Sequence, residues 1–124
     1  IVEGQCDVIA MHKAGYLNTV GLLGGSFTEE SFSKLSRFTN NFVTMFDGDL
    51  AGKQAAERAK DVLTEYRNSG YYHHNVNLVF KKNGKDKEYD PDEFISEYGR
   101  DYIKMVIDKT ISIKKNKEIE DIFG

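Results

Sequence analysis

Phe42-Val43-Thr44-Met45-Phe46 is an apolar, β-prone run that stops abruptly at Asp47-Gly48-Asp49. Open α/β sheets meet their ligands at the carboxyl ends of the strands, so a strand ending in acids marks a candidate cation site. Asp47 and Asp49 are two apart, and in extended backbone such side chains point to the same side. Gly48 between them lets the chain turn and sets no Cβ in a ligand's way. Asp-Gly is also among the commonest turn dipeptides, so the motif alone reads as a turn as readily as a site. Its meaning depends on which other residues the fold brings beside it.

The flanking sequence alternates between strand-like and helix-like patterns. Ile1-Val2, the run 18–23, the run 41–46 and the run 76–80 read as strands. Residues 7–14 form a short helical pattern closed by Gly15, and Ser26 with Glu29 predicts a capping box for the next helix. Ala55, Ala59, Val62, Leu63 and Tyr66 recur at helical spacing, and Asn68-Ser69-Gly70 ends that helix. Residues 81–87 read as a charged turn around Asn83-Gly84. Asp90 is a natural N-cap with Pro91 at N1, Gly99 closes the segment, and 100–109 reads as one more helix. The tail passes through Thr110 and Lys114-Lys115 to an amphipathic helical stub over 118–123. Four alternations with short connections predict an α/β fold: a mostly parallel sheet of about four strands, helices on both faces, and a C-terminal helical segment. Right-handed crossovers then bring the strand carboxyl ends to one edge.

At 124 residues the chain makes one domain, with 40% hydrophobic and 30% charged residues. No apolar run approaches a bilayer span, and the single cysteine excludes an internal disulfide framework and fits the cytoplasm. Cys6, beside Val8 and Ile9, is expected to be a small buried hydrophobe, and His12 a surface or hydrogen-bonded histidine. The net charge of −3 lacks the basic excess of a free-standing nucleic-acid binder. Ile1-Val2-Glu3-Gly4 reads as the end of a strand that begins upstream, so the chain is expected to be a piece of a longer protein.

In the expected topology Glu3 ends the first strand, Asp7 opens the first helix, Asp47 and Asp49 follow the third strand, and Asp90 and Asp92 follow the fourth. Each group has a plain structural role as helix starter or turn. Six acids at one sheet edge repel one another unless cations hold them, and oxygen ligands select Mg²⁺ or Mn²⁺. Such a site suits phosphoryl chemistry. No Ser-His-Asp set, CxxC or zinc pattern competes with it, and His73-His74 are adjacent, so they point in opposite directions along a strand.

Glu3-Gly4 with Asp7, followed by Asp47-Gly48-Asp49, resembles the acidic signature of the Toprim domain, shared by bacterial primases, topoisomerases and several nucleases. Asp47-Gly48-Asp49-Leu50-Ala51-Gly52, then Ala55-Ala56 and Arg58-Ala59, is similar to the primase version, as is Asp90-Pro91-Asp92-Glu93-Phe94-Ile95 with Tyr98-Gly99. Val8-Ile9 and Leu23-Gly24-Gly25-Ser26 also match, although primases more often carry Gly-Thr at that last turn. The resemblance covers residues 1–109, leaving 110–124 as an extension that starts a following helical part.

It implies a catalytic cluster of Glu3, Asp47 and Asp49, with Glu3, Asp7, Asp47, Asp49, Asp90 and Asp92 holding Mg²⁺ or Mn²⁺. It also implies joining of ribonucleoside triphosphates on a single-stranded DNA template. Lys53 and Arg58 follow the acidic motif as candidate phosphate contacts, with a solvated helix face as their plain role. A complete primase of this kind also carries a Zn²⁺ domain, a basic subdomain and a helicase-binding domain, none within this chain. The chain alone is expected to be monomeric, to bind metal and to prime negligibly. Alternatives are a small Toprim nuclease, a topoisomerase fragment, or a non-catalytic Toprim-like scaffold.

Overall fold

The computed structural model of the protein describes residues 1–123, without the side chains at 116, 118 and 123. In chain order it forms α1 (Gln5–Lys13), α2 (Glu29–Leu35), β1 (Asn41–Thr44), α3 (Leu50–Thr64), a 3₁₀ turn (Arg67–Ser69), β2 (Tyr72–Asn75), β3 (Val79–Lys82), β4 (Lys85–Glu88), α4 (Pro91–Tyr98) and α5 (Arg100–Phe123). β1 and β2 are parallel, with Asn41 opposite Tyr72 and Thr44 opposite Asn75.

The expected four-stranded sheet is present only in part. Val2 forms a single parallel bridge to Gly21. The Ile1 amino group donates to the Val43 carbonyl, and Met45 N–H donates to that of Ile1. Residues 1–2 therefore lie between 20–22 and β1, but the 1–2 and 20–22 stretches pair through a single bridge.

The fourth strand is Tyr72–Asn75 rather than 76–80. Residues 79–88 instead form an antiparallel hairpin of β3 and β4. Asn83 (φ 53°) and Gly84 (φ 78°) both lie in the left-handed region, as a two-residue hairpin turn demands.

Side chains of β1 and its continuation alternate between two cores, which puts helices on both faces as expected. Phe42 and Phe46 pack with Phe27, Phe32, Ala55, Ala59 and Leu63 beneath α2 and α3. Val43 and Met45 face Val2, Met11, Leu78, Phe94, Ile103 and Ile107 beneath α1, α4 and α5. The small Ala55 and Ala59 faces let α3 lie close on the sheet. Thr44, fully buried, satisfies its hydroxyl through His73 Nε2 (2.7 Å) and Asn75 Oδ1 (2.8 Å) on β2.

Several local expectations change. Cys6 is exposed, because the first turn of α1 turns that side outward. His12 is exposed, with Nε2 3.1 Å from the Thr19 carbonyl oxygen. The α2 cap is Thr28, not Ser26: Ser31 N–H donates to Thr28 Oγ1, and Thr28 N–H to Ser31 Oγ. Thr28→Ala is expected to cost about 1 kcal/mol in urea unfolding, and an unchanged midpoint would exclude this cap as a stabilising element. α5 runs through residue 110 without a break, joining the two helical segments expected there. The amphipathic reading of 118–123 rests partly on side chains outside the described residues, as does Gly124. No helix among the described residues is long and apolar enough to cross a membrane.

Candidate metal centre

Three helix starts and one strand end converge at one edge. Glu3 follows the bridge at Val2, and its Oε1 accepts from Asp47 N–H at 2.9 Å, tying the first strand end to the third. Asp7, buried in the first turn of α1, accepts from Gly4 N–H (3.3 Å) and from Asp92 N–H (3.1 Å), clipping α1 to α4. Asp49 caps α3 by accepting from Gly52 N–H at 2.8 Å. Asp90 caps α4 by accepting from Glu93 N–H at 2.7 Å, with Pro91 at the first helical position. Asp7, Asp49 and Asp90 therefore perform the plain role of helix starter. Asp49 and Asp90 each commit one oxygen and keep lone pairs on the other, whereas both Asp7 oxygens accept a backbone N–H.

The electrostatics separate the group from ordinary caps. The Asp47 carboxyl is pushed up to about 7, first by burial and then by the charges of Glu3, Asp7, Asp90 and Asp49. Asp7 is also raised by burial and by Asp90 and Asp92, against the pull of the backbone N–H groups of Asp92 and Gly4. The charges of the other candidate acids thus converge on Asp47 and Asp7. The positive N-terminal ends of α1, α3 and α4 offset part of their repulsion.

Glycines make the close packing possible. A Cβ on Gly48 would lie 2.6 Å from the Leu78 carbonyl oxygen, and Gly48 N–H donates to the Tyr89 carbonyl at 2.8 Å. The acidic turn is thereby stitched to the chain around the hairpin. Asp90 and Asp92 accordingly arrive after β4, not after a strand of the parallel sheet as expected.

Whether these residues suit a divalent cation turns on Asp47. Its Oδ1 is buried and accepts no hydrogen bond, an arrangement that costs free energy unless a cation or proton satisfies it. The acids whose charges reach Asp47 offer carboxylate oxygens, the chemistry that Mg²⁺ and Mn²⁺ select. As they lie, no three acidic, histidine or cysteine side chains among the described residues stand close enough to enclose one ion. The donor set fits the ion, and side-chain rotation is left to bring the oxygens together.

Of the two candidate cations, Lys53 lines a 220 Å³ cavity with Asp47, Gly52, Asn75 and Asn77. Arg58 is exposed and lies about 140° round α3 from Lys53, so it is not brought to that cavity. The asparagines were not singled out by sequence. Their signal was one polar residue just before the apolar run 76–80 and one inside it.

The Toprim domain profile matches residues 1–71. The DNA primase of Rickettsia felis is 35% identical over 115 residues, covering 93% of this chain and 18% of that protein. The DNA primase of Clostridium acetobutylicum is 30% identical, covering 98% of this chain and 19% of that protein. The chain thus spans about a fifth of the length of these relatives. Among solved structures, the zinc-binding and RNA polymerase domains of the Aquifex aeolicus primase superpose with a TM-score of 0.71 at 31% identity, over 88% of this chain and 25% of that one. A Pseudomonas aeruginosa DNA primase domain gives 0.72 at 32% identity, over 88% and 32%. The chain belongs to the Toprim domain family, and the relatives it matches are DNA primases.

Proposed function

We propose that this chain is the catalytic metal-binding core of a DNA primase, joining ribonucleoside triphosphates into short RNA primers on a single-stranded DNA template. The observation that carries the reading is Asp47: a half-buried carboxyl with an orphaned oxygen, raised first by burial and then by four neighbouring acids. A bound Mg²⁺ or Mn²⁺ would supply charge neutralisation for the triphosphate and its pyrophosphate leaving group, and would lower the pKa of an attacking hydroxyl. Glu3, Asp7, Asp47, Asp49, Asp90 and Asp92 are the residues assigned to hold it.

The remaining work falls to the chain itself. Glu3 is fixed by Asp47 N–H and stands nearest to a proton-transfer role, since one oxygen remains for a reacting hydroxyl. Gly48 lets the acidic turn pack directly against the Leu78 backbone, which holds Asp47 and Asp49 at this edge. Lys53, beside Asp47 in the same cavity, supplies positive charge for a phosphate oxygen. Residues 1–109 are assigned as the Toprim unit and 110–124 as the start of the next helical part. A Zn²⁺ domain and a helicase contact are assigned to regions of the primase outside this chain, which itself is assigned as a cytoplasmic monomer.

Titration with Mn²⁺, followed by the loss of its free electron-spin resonance signal, tests this. Wild type is expected to bind saturably, and Asp49→Asn and Asp90→Asn to bind at least about tenfold more weakly. Absence of saturable binding by wild type would sink the metal site. Robust primer synthesis by this chain alone would overturn the division of labour.

A further inference from the structure

A second, oppositely charged feature starts at the same edge. Lys53, Glu57, Lys60 and Thr64 of α3 and Arg67 of the following turn recur at i, i+4, i+7, i+11 and i+14, which is one stripe of a helix. Lys53 and Glu57 line the cavity that holds Asp47. Glu57, Lys60, Thr64 and Arg67 line a 370 Å³ cavity that shares Ala56, Glu57 and Asn75 with the first. The two are one trough. Its far wall is Tyr72 and His73 of β2, with Lys114 of α5, whose Nζ donates to the His73 carbonyl.

Among the described residues, Lys53, Lys60, Arg67 and Lys114 thus line this trough with two acids, Glu57 and, at its end, Asp47, in a protein whose net charge is −3. Lys53 and Lys60 are seven residues apart, about 10 Å along the axis of α3, and Arg67 continues the line in the turn beyond the helix. A compact anion meets one of these cations at a time, whereas a chain of regularly spaced phosphates meets all of them. Tyr72, 47% exposed at the wall, offers a ring face on which a base can stack.

We propose that this trough binds the phosphate backbone of a single nucleic-acid strand and leads it to the acidic edge. Choosing a nucleic acid among linear polyanions rests on the nucleotidyl-transfer reading above; the cationic trough itself does not. The test is fluorescence anisotropy of a labelled oligothymidylate with the full chain, at about 50 mM salt and at higher salt. Wild type is expected to bind. Lys60→Glu/Arg67→Glu should bind at least about tenfold more weakly, with the salt slope reduced by about 1.4 for two lost phosphate contacts on a single strand. Lys85→Glu/Lys109→Glu, the same four-unit charge change at exposed positions outside the trough, should leave binding nearly unchanged.

Thermal melts by circular dichroism check folding, and Lys60→Gln/Arg67→Gln replaces the double reversal if that variant is unfolded. No binding by wild type, or unchanged binding by the folded double variant, overturns the proposal. Displacement by inorganic tripolyphosphate as effective per mole as by unlabelled strand overturns it in favour of a compact-anion pocket. Mn²⁺ titration of the same variants separates the two readings. Intact Mn²⁺ binding with no strand binding sinks the trough alone, and trough-dependent strand binding without Mn²⁺ binding sinks the metal centre alone.

Discussion

Gly52→Ala is expected to destabilise the protein by at least about 3 kcal/mol and to remove divalent-metal binding, although glycine-to-alanine in an ordinary helix interior stabilises by about 1 kcal/mol. The sign reverses because of what lies over the first turn of α3. A Cβ on Gly52 would sit 1.8 Å from the Asp47 carbonyl oxygen, 2.6 Å from its carbonyl carbon and 2.9 Å from its nitrogen. All three are backbone atoms, so no rotamer change relieves the overlap. Either the start of α3 moves outward, lifting Ala55 and Ala59 from Phe42 and Phe46, or the 47–49 turn moves and carries two carboxylates with it. The Asp49 cap suffers in both cases, since its partner is the Gly52 N–H. Urea unfolding of the two proteins decides: equal or greater stability of the variant would show that the turn is not packed on α3 as described.

Much of this arrangement was legible in the sequence, and the failures share a cause. Asp90-Pro91 and Gly99 bounded α4 correctly because cap chemistry is local. The two-sided core followed from the alternation of strand-like and helix-like segments with short connections. The fourth strand was misplaced because the apolar signal in 76–80 reports burial, not pairing. Val76 and Leu78 are 1% and 0% exposed while belonging to no strand. The paired strand is Tyr72-His73-His74-Asn75, whose polar residues are spent on Thr44 and on the trough wall. Ser26 lost the α2 cap to Thr28 for a similar reason. Both have a suitable partner three residues on, and only the path of the preceding loop decides between them. The convergence of the six acids was readable as a consequence of topology, yet the route of Asp90 and Asp92 through a hairpin was not. The Asp47 environment, the property with the greatest chemical consequence, depends on burial that no local pattern encodes.

Replacing that carboxyl should separate stability from function. In the metal-free protein Asp47→Asn is expected to raise stability at pH 8 by about 1–2 kcal/mol, roughly 4–8 °C in Tm, while greatly weakening Mn²⁺ binding. The sign follows from the raised carboxyl. With a native pKa of about 7 against an ordinary value near 3.8, the folded state holds a proton that the unfolded state has released. This group's contribution is therefore fully favourable only below about pH 4, declines as pH rises, and is lost once pH passes about 7. A three-unit shift at a fully buried site corresponds to about 4 kcal/mol, and the half-buried position of Asp47 reduces that through solvent screening. Asparagine cannot ionise, so it escapes the repulsion of Glu3, Asp7, Asp90 and Asp49, and its amide can donate where the Asp47 Oδ1 has no partner. The same linkage makes metal binding proton-coupled. A cation must displace the Asp47 proton, so affinity should fall by about tenfold per pH unit well below 7, with proton release on binding near neutrality. Thermal melts across pH 5 to 8, with and without Mn²⁺, measure both effects, the pH range being set by the Asp47 value of about 7. If Asp47→Asn is less stable than wild type at pH 8 without metal, the acids do not strain this edge, and the carboxylate serves the fold rather than a cation.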